Sequence, residues 1–384
     1  MSQPRPNNIK SNNPTFGEKM FTTLLVDGSN LLEVCYAKAK EYNADGREIG
    51  GIFAFLLQLK ILLQKGNFRY VYVFWDGDNS GQLRHSLNVD YKANRDKNFN
   101  DDDLSDYMKR YKEKVRAIEN HIYNKNKPKN PKTETEKENF YWQRSIIIDC
   151  LEELYIRQCL CDQTEADDFI GYYVAHKKSN ERIVICSNDR DLTQLIAPDV
   201  IVYIQSMKDF VNTRNHTEKL GYYYENVVLK KIICGDASDN IKGIKGVGET
   251  TLFTNFPQFK TRRVTLEEVV DGAKAINEKR LTEKKKPLKW AQNIVDKVTD
   301  GAQGEQIYEI NRKIIDLHNP LMTQESIDLI EGLMYAPLDP EGRNFENLYK
   351  ILIDNNIDKL RDESKFSNFF VEFRFLIDKE KRNI

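Results

Sequence analysis

Short apolar runs that end in aspartate recur along this chain. TTLLVDGSN stops at Asp27, RYVYVFWDGD stops at Asp76, and ERIVICSNDRD leads into Asp189 and Asp191. A fourth apolar run, VIVYIQS, begins at Val200. Runs of this length and composition predict buried strands, and the Asp-Gly pairs predict turns at their ends.

Helical patterns lie between these runs. GGIFAFLLQLKILLQK has apolar residues at helical spacing, and TEADDFIGYYVAHK predicts a helix with Thr164 as its N-cap. A further helix is expected after the first strand, capped by Ser29 or Asn30. Strands that alternate with helices predict an α/β fold with a mostly parallel sheet.

The alternating pattern and its limits divide the chain into four regions. The predicted divisions are a polar leader at 1–20, an α/β core at 21–256, a basic insertion at 257–304 and a helical region at 305–384. Within the core, 77–145 is rich in Lys, Arg, Asn and Asp and poor in branched apolar residues, with a polar helix expected over 101–121. Because this insertion leaves directly from Asp76, we interpret it as an arm over the site.

Carboxylates mark the predicted site. Parallel strands place their carboxyl ends at one edge of a sheet, where ligands bind. A single aspartate there is an ordinary turn or cap residue, but three strands that end this way need another explanation. Glu165 and Asp168 share a helix face, and Asp236 and Asp239 are also three residues apart. The candidate metal ligands are Asp27, Asp76, Glu165, Asp167, Asp168, Asp189, Asp191, Asp236 and Asp239.

So many like charges are strongly unfavourable together without cations. Oxygen donors with no matching His or Cys suit Mg²⁺, for which Mn²⁺ can substitute. Two such ions activate water and stabilise the leaving oxygen in phosphodiester cleavage. We expect two ligand groups: Asp27, Asp76, Glu165 and Asp167 for one ion, and Asp189, Asp191 and Asp239 for the other.

Glycine and basic residues follow the acidic motifs. GDASDNIKGIKGVGETTL predicts a helix–hairpin–helix at 224–256 that grips a duplex backbone without reading its sequence. The DNA-binding candidates there are Lys242, Gly243, Lys245, Gly246, Gly248 and Thr250. After Asp76, the spacing places Arg84, Lys92 and Arg95 on one helical side. Lys92 and Arg95 are expected to reach the scissile phosphate, where positive charge assists catalysis.

Composition narrows the class of protein. The 384 residues carry 58 Lys and Arg against 59 Asp and Glu, so the chain is not a simple basic nucleic-acid binder. Six cysteines without a C-x-x-C pair indicate reduced thiols and a cytoplasmic protein. No stretch is long and apolar enough to span a membrane, and the N-terminus does not have the pattern of a secretory signal. Nothing indicates an obligate dimer, so we expect a monomer.

Five motifs occur in one order between about residues 21 and 256: VDGSN, FWDGDNSGQLRHSLNVDYKANR, EADD, SNDRDLTQL and GDASDNIKGIKGVGETT. Together they resemble the flap endonuclease / 5′–3′ exonuclease family, especially its bacteriophage ribonuclease H branch. The resemblance implies a PIN-like core, a helical arch and a helix-three-turn-helix DNA clamp. It implies two Mg²⁺ ions at the nine carboxylates, a K⁺ ion near the clamp hairpin, and Lys92 and Arg95 at the arch base. Lys242 stands where the family often has proline.

The resemblance also implies a function. It predicts a 5′–3′ exonuclease and flap endonuclease with ribonuclease H activity, acting on branched or 5′-ended duplex DNA and on RNA–DNA hybrids. In phage-type DNA replication, such an enzyme removes RNA primers beside a single-strand-binding protein, a sliding clamp or a polymerase. Tyr36 and Tyr91 are candidates to stack on the terminal base.

Two other functions fit part of the pattern. A PIN-type ribonuclease acting on single-stranded RNA accounts for the acidic core but not for GIKGVG. A non-catalytic junction-binding protein accounts for the hairpin but requires a degraded acidic set, and every acidic member is present here. Metal-dependent cleavage of flaps distinguishes both from the leading hypothesis.

Overall fold

The computed structural model describes residues 20–92, 135–299, 302–303, 305–338 and 343–382. Most of the predicted leader, Arg95 and the polar helix expected over 101–121 lie outside these residues. None of the helices in the described part of the chain is both long and apolar enough to cross a bilayer.

A twisted central sheet carries the site. It has six strands in the order β3-β2-β1-β4-β5-β6. Its strands are β1 (Phe21–Asp27), β2 (Phe68–Trp75), β3 (Arg157–Leu160), β4 (Glu181–Cys186), β5 (Val200–Ile204) and β6 (Asp209–Val211). The first five are parallel, and β6 pairs antiparallel with β5. The predicted α/β fold with a mostly parallel sheet is therefore confirmed.

Fifteen α-helices fall within the described residues. The first six are α1 (Gly28–Lys38), α2 (Gly50–Leu63), α3 (Gln82–Leu87), α4 (Glu136–Glu153), α5 (Ala166–His176) and α6 (His216–Leu220). The next four are α7 (Val227–Cys234), α8 (Glu249–Asn255), α9 (Leu266–Thr282) and α10 (Lys289–Val295). The last five are α11 (Glu305–Ile315), α12 (Gln324–Leu333), α13 (Phe345–Asp354), α14 (Glu363–Phe369) and α15 (Val371–Arg382).

Shorter elements complete the described chain. Its 3₁₀ helices are Arg190–Leu195, Tyr224–Asn226, Pro257–Lys260 and Asp358–Leu360. A small hairpin pairs β7 (Val298–Thr299) with β8 (Ala302–Gln303).

The two faces of the sheet bury separate cores. Leu24 and Val26 of β1 point to one face, where α1, α2, α4 and the C-terminal helices α13 to α15 pack. Leu25 points to the other face, where α5 and the Arg190–Leu195 segment pack. This alternation follows from the two-residue period of a strand. Both faces are covered, which explains why the central strands read as continuous apolar runs.

A third core joins the predicted hairpin region to the basic insertion. Leu252 and Phe256 pack in one cluster with Val269 of α9 and Ile294 of α10. Because these side chains share one core, the insertion at 257–304 folds against the hairpin region.

The polar insertion ends earlier than the expected residue 145. Thr135 and Glu138 form a reciprocal capping box, and α4 begins between them at Glu136. From Asn139 onward this helix buries side chains, and Gln143 Oε1 accepts a hydrogen bond from the backbone N–H of Ile52 at 3.1 Å. Residues 136–145 therefore belong to the core. The cap was readable in the sequence as T-x-x-E, but the surrounding charge obscured it.

Candidate active site

The first two carboxylates lie at adjacent strand ends. Asp27 is the last residue of β1, and Asp76 follows the last residue of β2. Asp27 is itself the N-cap of α1, because its Oδ1 accepts from the N–H of Asn30 at 3.0 Å. The expected cap at Ser29 or Asn30 was therefore wrong. Ser29 Oγ instead accepts from the N–H of Asp76 at 2.8 Å and ties the two strand ends together.

Asp76 connects the sheet to the start of α5. Its Oδ1 accepts from the N–H of Ala166 at 2.8 Å. A Cβ at the following Gly77 would lie 1.6 Å from the carbonyl oxygen of Cys161, so a side chain at this position cannot be accommodated without moving backbone. This close approach brings the second strand end against the acidic helix.

Glu165 accepts hydrogen bonds from three directions. Lys92 Nζ lies 2.7 Å from its Oε1, and the Tyr91 hydroxyl lies 3.2 Å from its Oε2. Arg84 lies 3.0 Å from the same Oε2. Burial alone would raise the pKa of Glu165, but Arg84 and Lys92 outweigh it and hold that pKa below its usual range.

The predicted cap of α5 is displaced by one residue. Glu165, not Thr164, is the N-cap residue of this helix, and its side chain makes no capping hydrogen bond. The Thr164 hydroxyl is buried and hydrogen-bonds to the hydroxyl of Ser326 in α12. The prediction that Thr164 caps the helix was wrong because its hydroxyl forms a hydrogen bond with a residue far along the chain.

Asp168 and Arg84 form a buried pair beside the site. Arg84 donates to both carboxylate oxygens, at 2.6 and 2.8 Å, and Asp168 also accepts from the N–H of Leu321 at 3.0 Å. Arg84 donates a further bond to the carbonyl of Ile314. Asp168 is fully buried, and its oxygens are occupied by these donors. The structure therefore ties Asp168 to a buried arginine.

Several carboxylates repel one another. Burial, followed by the nearby charge of Asp76, raises the pKa of Asp27 to about 8. Burial and the carboxylates of Asp189 and Asp27 raise the pKa of Asp167 well above its usual range. Burial and Asp189 also raise the pKa of Asp191 to about 7, although Lys231 opposes the shift. Burying these carboxylates close together is unfavourable because their negative charges repel one another. A divalent cation bound among them would offset this repulsion, so the cluster fits a metal site.

A second acidic group joins the segment after β4 to the GDASDN loop. Single carboxylate oxygens of Asp191, Asp236 and Asp239 lie within 4.8 Å of one another. Asp189 caps the 3₁₀ helix Arg190–Leu195 and accepts from the N–H of Asp191 at 2.8 Å. These oxygens come from two distant segments and form a second set of hard ligands.

Lys231 was missed by the sequence analysis. Its ammonium group forms ion pairs with both Asp191 and Asp236 and so lies between two of the predicted ligands. Burial opposes ionisation of Asp236, but Lys231 and Ser238 outweigh it and lower the pKa of this carboxyl to about 2. The available signal was the position of Lys231 on α7, shortly before the GDASDN motif.

The loop that carries Asp236 and Asp239 is a tight turn. Asp236 and Ile241 bridge through their backbones. A Cβ at Gly243 would lie 2.2 Å from the backbone nitrogen of Gly235. The two glycines thus permit the loop to close on itself and present both aspartates on the same side as Asp191.

An open cleft connects the two acidic groups. Together with the solvent-open space at its mouth, it measures about 350 Å³. Its polar lining consists of Arg84, Tyr91, Lys92, Glu165, Asp167, Asp189, Asp191 and Asp239. Ile241, Ile314, Ile315 and Leu317 form an apolar wall. Lys92 is joined to the acidic loop because its N–H donates to the carbonyl of Asp239 at 3.0 Å.

The stacking candidates are unsuitable. Tyr91 is 3% exposed, and its hydroxyl is turned to Glu165. Tyr36 is 7% exposed and donates to the carbonyl of Glu136. Neither ring presents a free face to a base.

The predicted hairpin lies between α7 and α8. Five of its six candidate DNA-binding residues are exposed: Lys242, Lys245, Gly246, Gly248 and Thr250. The sixth, Gly243, packs against Gly235. Gly246 has a φ of 80°, a conformation that glycine adopts without strain.

Comparison with known proteins identifies the family. A family model described as the N-terminal, resolvase-like domain of 5′–3′ exonucleases matches residues 22–221. The chain belongs to the 5′–3′ exonuclease family. The resemblance predicted from the five motifs is therefore confirmed, and the chain is an enzyme of this nuclease class. The matched residues include Asp27 to Asp191 but stop before Asp236 and Asp239.

Both separate 5′–3′ exonucleases and much longer DNA polymerases are similar in sequence to this member of the 5′–3′ exonuclease family. The 5′–3′ exonuclease of Mycoplasmopsis pulmonis is 25% identical over 263 residues, which cover 68% of this chain and 73% of that protein. DNA polymerase I of Bacillus subtilis is 31% identical over 152 residues, or 38% of this chain and 17% of the polymerase. The similarity to the polymerase is thus confined to a small part of it.

Solved structures share the fold. The flap endonuclease of bacteriophage T5, in a pseudo-enzyme–product complex with DNA and metal ions, has a TM-score of 0.53 at 18% identity and covers 86% of this chain and 98% of its own. The T5 5′-exonuclease with bound zinc has a TM-score of 0.52 at 17% identity, with coverages of 87% and 97%. These likenesses agree with the predicted α/β architecture.

Proposed function

We propose that this exonuclease-family member is a Mg²⁺-dependent, structure-specific 5′ nuclease. It hydrolyses phosphodiesters near the 5′ ends of DNA flaps, DNA duplexes and RNA–DNA hybrids. One observation carries the proposal: carboxylates of both acidic groups, from distant segments, line a single open cleft, with Lys92 at its wall. The names of the T5 relatives, a flap endonuclease and a 5′-exonuclease, agree with it.

The carboxylates would hold two cations. Asp27, Asp76, Glu165 and Asp167 form the first proposed set, and Asp189, Asp191, Asp236 and Asp239 form the second. Divalent cations in such a site stabilise developing negative charge on a phosphate and make bound water more acidic. Mn²⁺ offers the same chemistry. A K⁺ ion at the hairpin remains a prediction.

Asp168 has a different proposed role. Because Arg84 and the N–H of Leu321 occupy its oxygens, Asp168 acts as a positioning residue. It fixes Arg84, which in turn contacts Glu165 at 3.0 Å. Arg84 and Asp168 together orient Glu165, which is one of the proposed metal ligands. Arg84 is therefore also a positioning residue, and it acts through Glu165.

Lys92 supplies positive charge at the cleft. Its ammonium group is held by Glu165 and keeps a side-chain exposure of 24%. Burial would lower the pKa of Lys92, but Glu165 outweighs this and raises it, so the side chain stays charged. A fixed cation beside the reacting phosphate stabilises charge that develops in the transition state.

The exposed hairpin would hold the duplex. Lys242 and Lys245 offer cations, and the glycines allow a phosphate backbone to approach closely. Contacts to the backbone carry no sequence information, which fits a nuclease that recognises a structure. They also fit both DNA and RNA–DNA hybrid, and hence RNA primer removal in phage-type replication. A polymerase, a sliding clamp or a single-strand-binding protein would be the partner there.

The decisive experiment measures cleavage of a 5′-labelled flap and its blunt duplex counterpart, with Mg²⁺ and with EDTA. We expect metal-dependent cleavage at the flap junction. Asp189→Asn should abolish cleavage and retain flap binding, because it removes a proposed metal ligand and no DNA contact. Asp328→Asn, at an exposed position of α12, is the matched control and should cut normally.

Other results of this cleavage experiment would indicate a different function. Preference for unpaired RNA would replace the proposal with a single-stranded ribonuclease. Tight flap binding without cleavage in any divalent metal would indicate a junction-binding protein. Normal cleavage by Asp189→Asn would refute the assignment of the site.

A further inference from the structure

A lysine-rich turn projects from the insertion that follows the hairpin. Ten basic and five acidic residues lie between Lys260 and Lys289, whereas the whole chain has a net charge of −1. Lys284, Lys285 and Lys286 lie between α9 and α10, and Lys289 is the first residue of α10. We call these four residues the lysine turn.

Hydrogen bonds fix the backbone of the lysine turn. The buried Asn277 of α9 holds Leu288 twice: its Nδ2 donates to the carbonyl at 3.3 Å, and its Oδ1 accepts from the N–H at 2.7 Å. The N–H of Lys285 donates to the carbonyl of Arg280 at 2.8 Å, and Arg280 Nε donates to the carbonyl of Lys286 at 2.8 Å. A surface held in this way loses little conformational freedom when it binds a ligand.

The charges of the lysine turn are available to a partner. All four side chains are exposed. Lys285 forms an ion pair with Glu283 at 2.8 Å. Within the described ranges, no acidic group forms an ion pair with Lys284, Lys286 or Lys289. Three lysines thus present unneutralised charge from a rigid turn.

The lysine turn adjoins the hairpin. A Cβ at Gly246 would lie 3.7 Å from Cβ of Trp290, the residue after Lys289. Asn293 of α10 donates to the carbonyl of Lys245 at 2.8 Å. The N–H of Lys245 donates to the carbonyl of Val298 at 2.9 Å. These contacts join the turn and the hairpin into one surface.

We propose that the lysine turn is a second contact for the phosphate backbone and extends the duplex-binding surface beyond the hairpin. The inference rests on the proposed function, because the hairpin is taken to hold a duplex. A double-stranded nucleic acid is the fitting partner, since its closely spaced phosphates attract clustered cations, and this cluster adjoins the hairpin. The contact is independent of base sequence.

The test replaces all four lysines together: Lys284→Gln, Lys285→Gln, Lys286→Gln and Lys289→Gln. Binding of uncut flaps, with EDTA present, is measured over a series of salt concentrations. Each phosphate contact contributes about 0.9 to the slope of log K against log salt. We expect the slope for a flap with a long duplex arm to fall by about 2 to 4. A flap whose duplex arm ends at the hairpin should bind as in the wild type.

A matched variant controls for net charge. It carries the same change at four exposed lysines far along the chain from the turn: Lys178, Lys208, Lys350 and Lys365. This control should keep most of the wild-type slope. Normal cleavage of the short-arm flap by the turn variant verifies that it folds. An unchanged slope on the long arm, or an equal loss on both arms, overturns the inference. Failure of the wild-type protein to bind or cut any flap refutes the proposed function instead.

Discussion

The guanidinium of Arg84 donates to both carboxylate oxygens of Asp168, at 2.6 and 2.8 Å. The two side chains are 4% and 0% exposed, so neither charge is solvated by bulk water. Since Arg84 also contacts Glu165, this pair joins α3 to the acidic start of α5.

Arg84→Met should therefore destabilise the protein strongly. It leaves the buried carboxylate of Asp168 without its partner, which typically costs about 3–5 kcal/mol. Urea unfolding in EDTA measures the change. The double variant Arg84→Met/Asp168→Leu removes both charges and should lose less than the sum of the single variants. Additive losses would show that the two residues stabilise the fold independently.

Lys231→Met should make stability depend more strongly on Mg²⁺. The variant removes the ammonium group that lies between Asp191 and Asp236, so these carboxylates repel each other in metal-free protein. We expect a lower Tm in EDTA and a larger rise in Tm on adding Mg²⁺ than for the wild type. Lys230→Met is the neighbouring control, because Lys230 pairs with the exposed Glu249 instead. Equal Mg²⁺ shifts in all three proteins would contradict the metal assignment.

Metal-free protein should lose stability as pH rises from about 4 to 8. Burial and the charge of Asp76 raise the pKa of Asp27 from 3.8 to about 8. Across this window the native carboxyl keeps a proton that the unfolded chain has released. The free energy of unfolding therefore falls with pH, by up to about 1.4 kcal/mol per pH unit for this one group. Burial and Asp189 raise the pKa of Asp191 to about 7, which adds to the fall below that pH.

Urea unfolding at several pH values, in EDTA, tests this linkage. Asp27→Asn removes the titrating group and should give a flatter profile. A profile that rises over the same window would mean that these carboxyls are ionised in the native protein.

Gly243→Ala should impair cleavage by moving the acidic loop. The added Cβ would lie 2.2 Å from the backbone nitrogen of Gly235, and backbone cannot yield as a flexible side chain can. We expect a cost of about 1–3 kcal/mol in unfolding free energy and a loss of Mg²⁺-dependent cleavage. Gly332→Ala in α12 is the control, since nothing lies within 4 Å of its added Cβ. Wild-type cleavage by Gly243→Ala would show that the loop tolerates displacement.

Much of the fold could be predicted because its signals are local. Apolar runs located β1, β2, β4 and β5, and the aspartates after them predicted a site at one edge of the sheet. The short strand β3 escaped detection because it has four residues, RQCL, and half of them are polar. Its Arg157 is buried beneath the rings of Tyr70 and Tyr72, an environment that only the folded sheet creates.

Motif spacing could not predict which carboxylates line the cleft and which pair with basic side chains. Asp167 and Asp168 are neighbours in one helix, yet only Asp167 lines the cleft. Asp168 is committed to Arg84, and Lys231 to Asp191 and Asp236, through contacts between distant parts of the chain. Such pairings depend on how elements pack, which motif spacing does not encode.

Two hydrogen bonds join Gln194 to the end of α11 and the residues after it. They limit how far this enzyme can be truncated. Gln194 donates to the carbonyl of Ile315 at 3.1 Å and accepts from the N–H of Leu317 at 2.9 Å. Both partners belong to the apolar wall of the cleft, nearly a hundred residues beyond the end of the family match at 221. A fragment that ends at residue 221 would lack the apolar wall of the cleft, and the surfaces that contact this wall would be exposed to solvent. The smallest autonomous form of this nuclease must therefore reach past Leu317, whatever the limits of its sequence similarity.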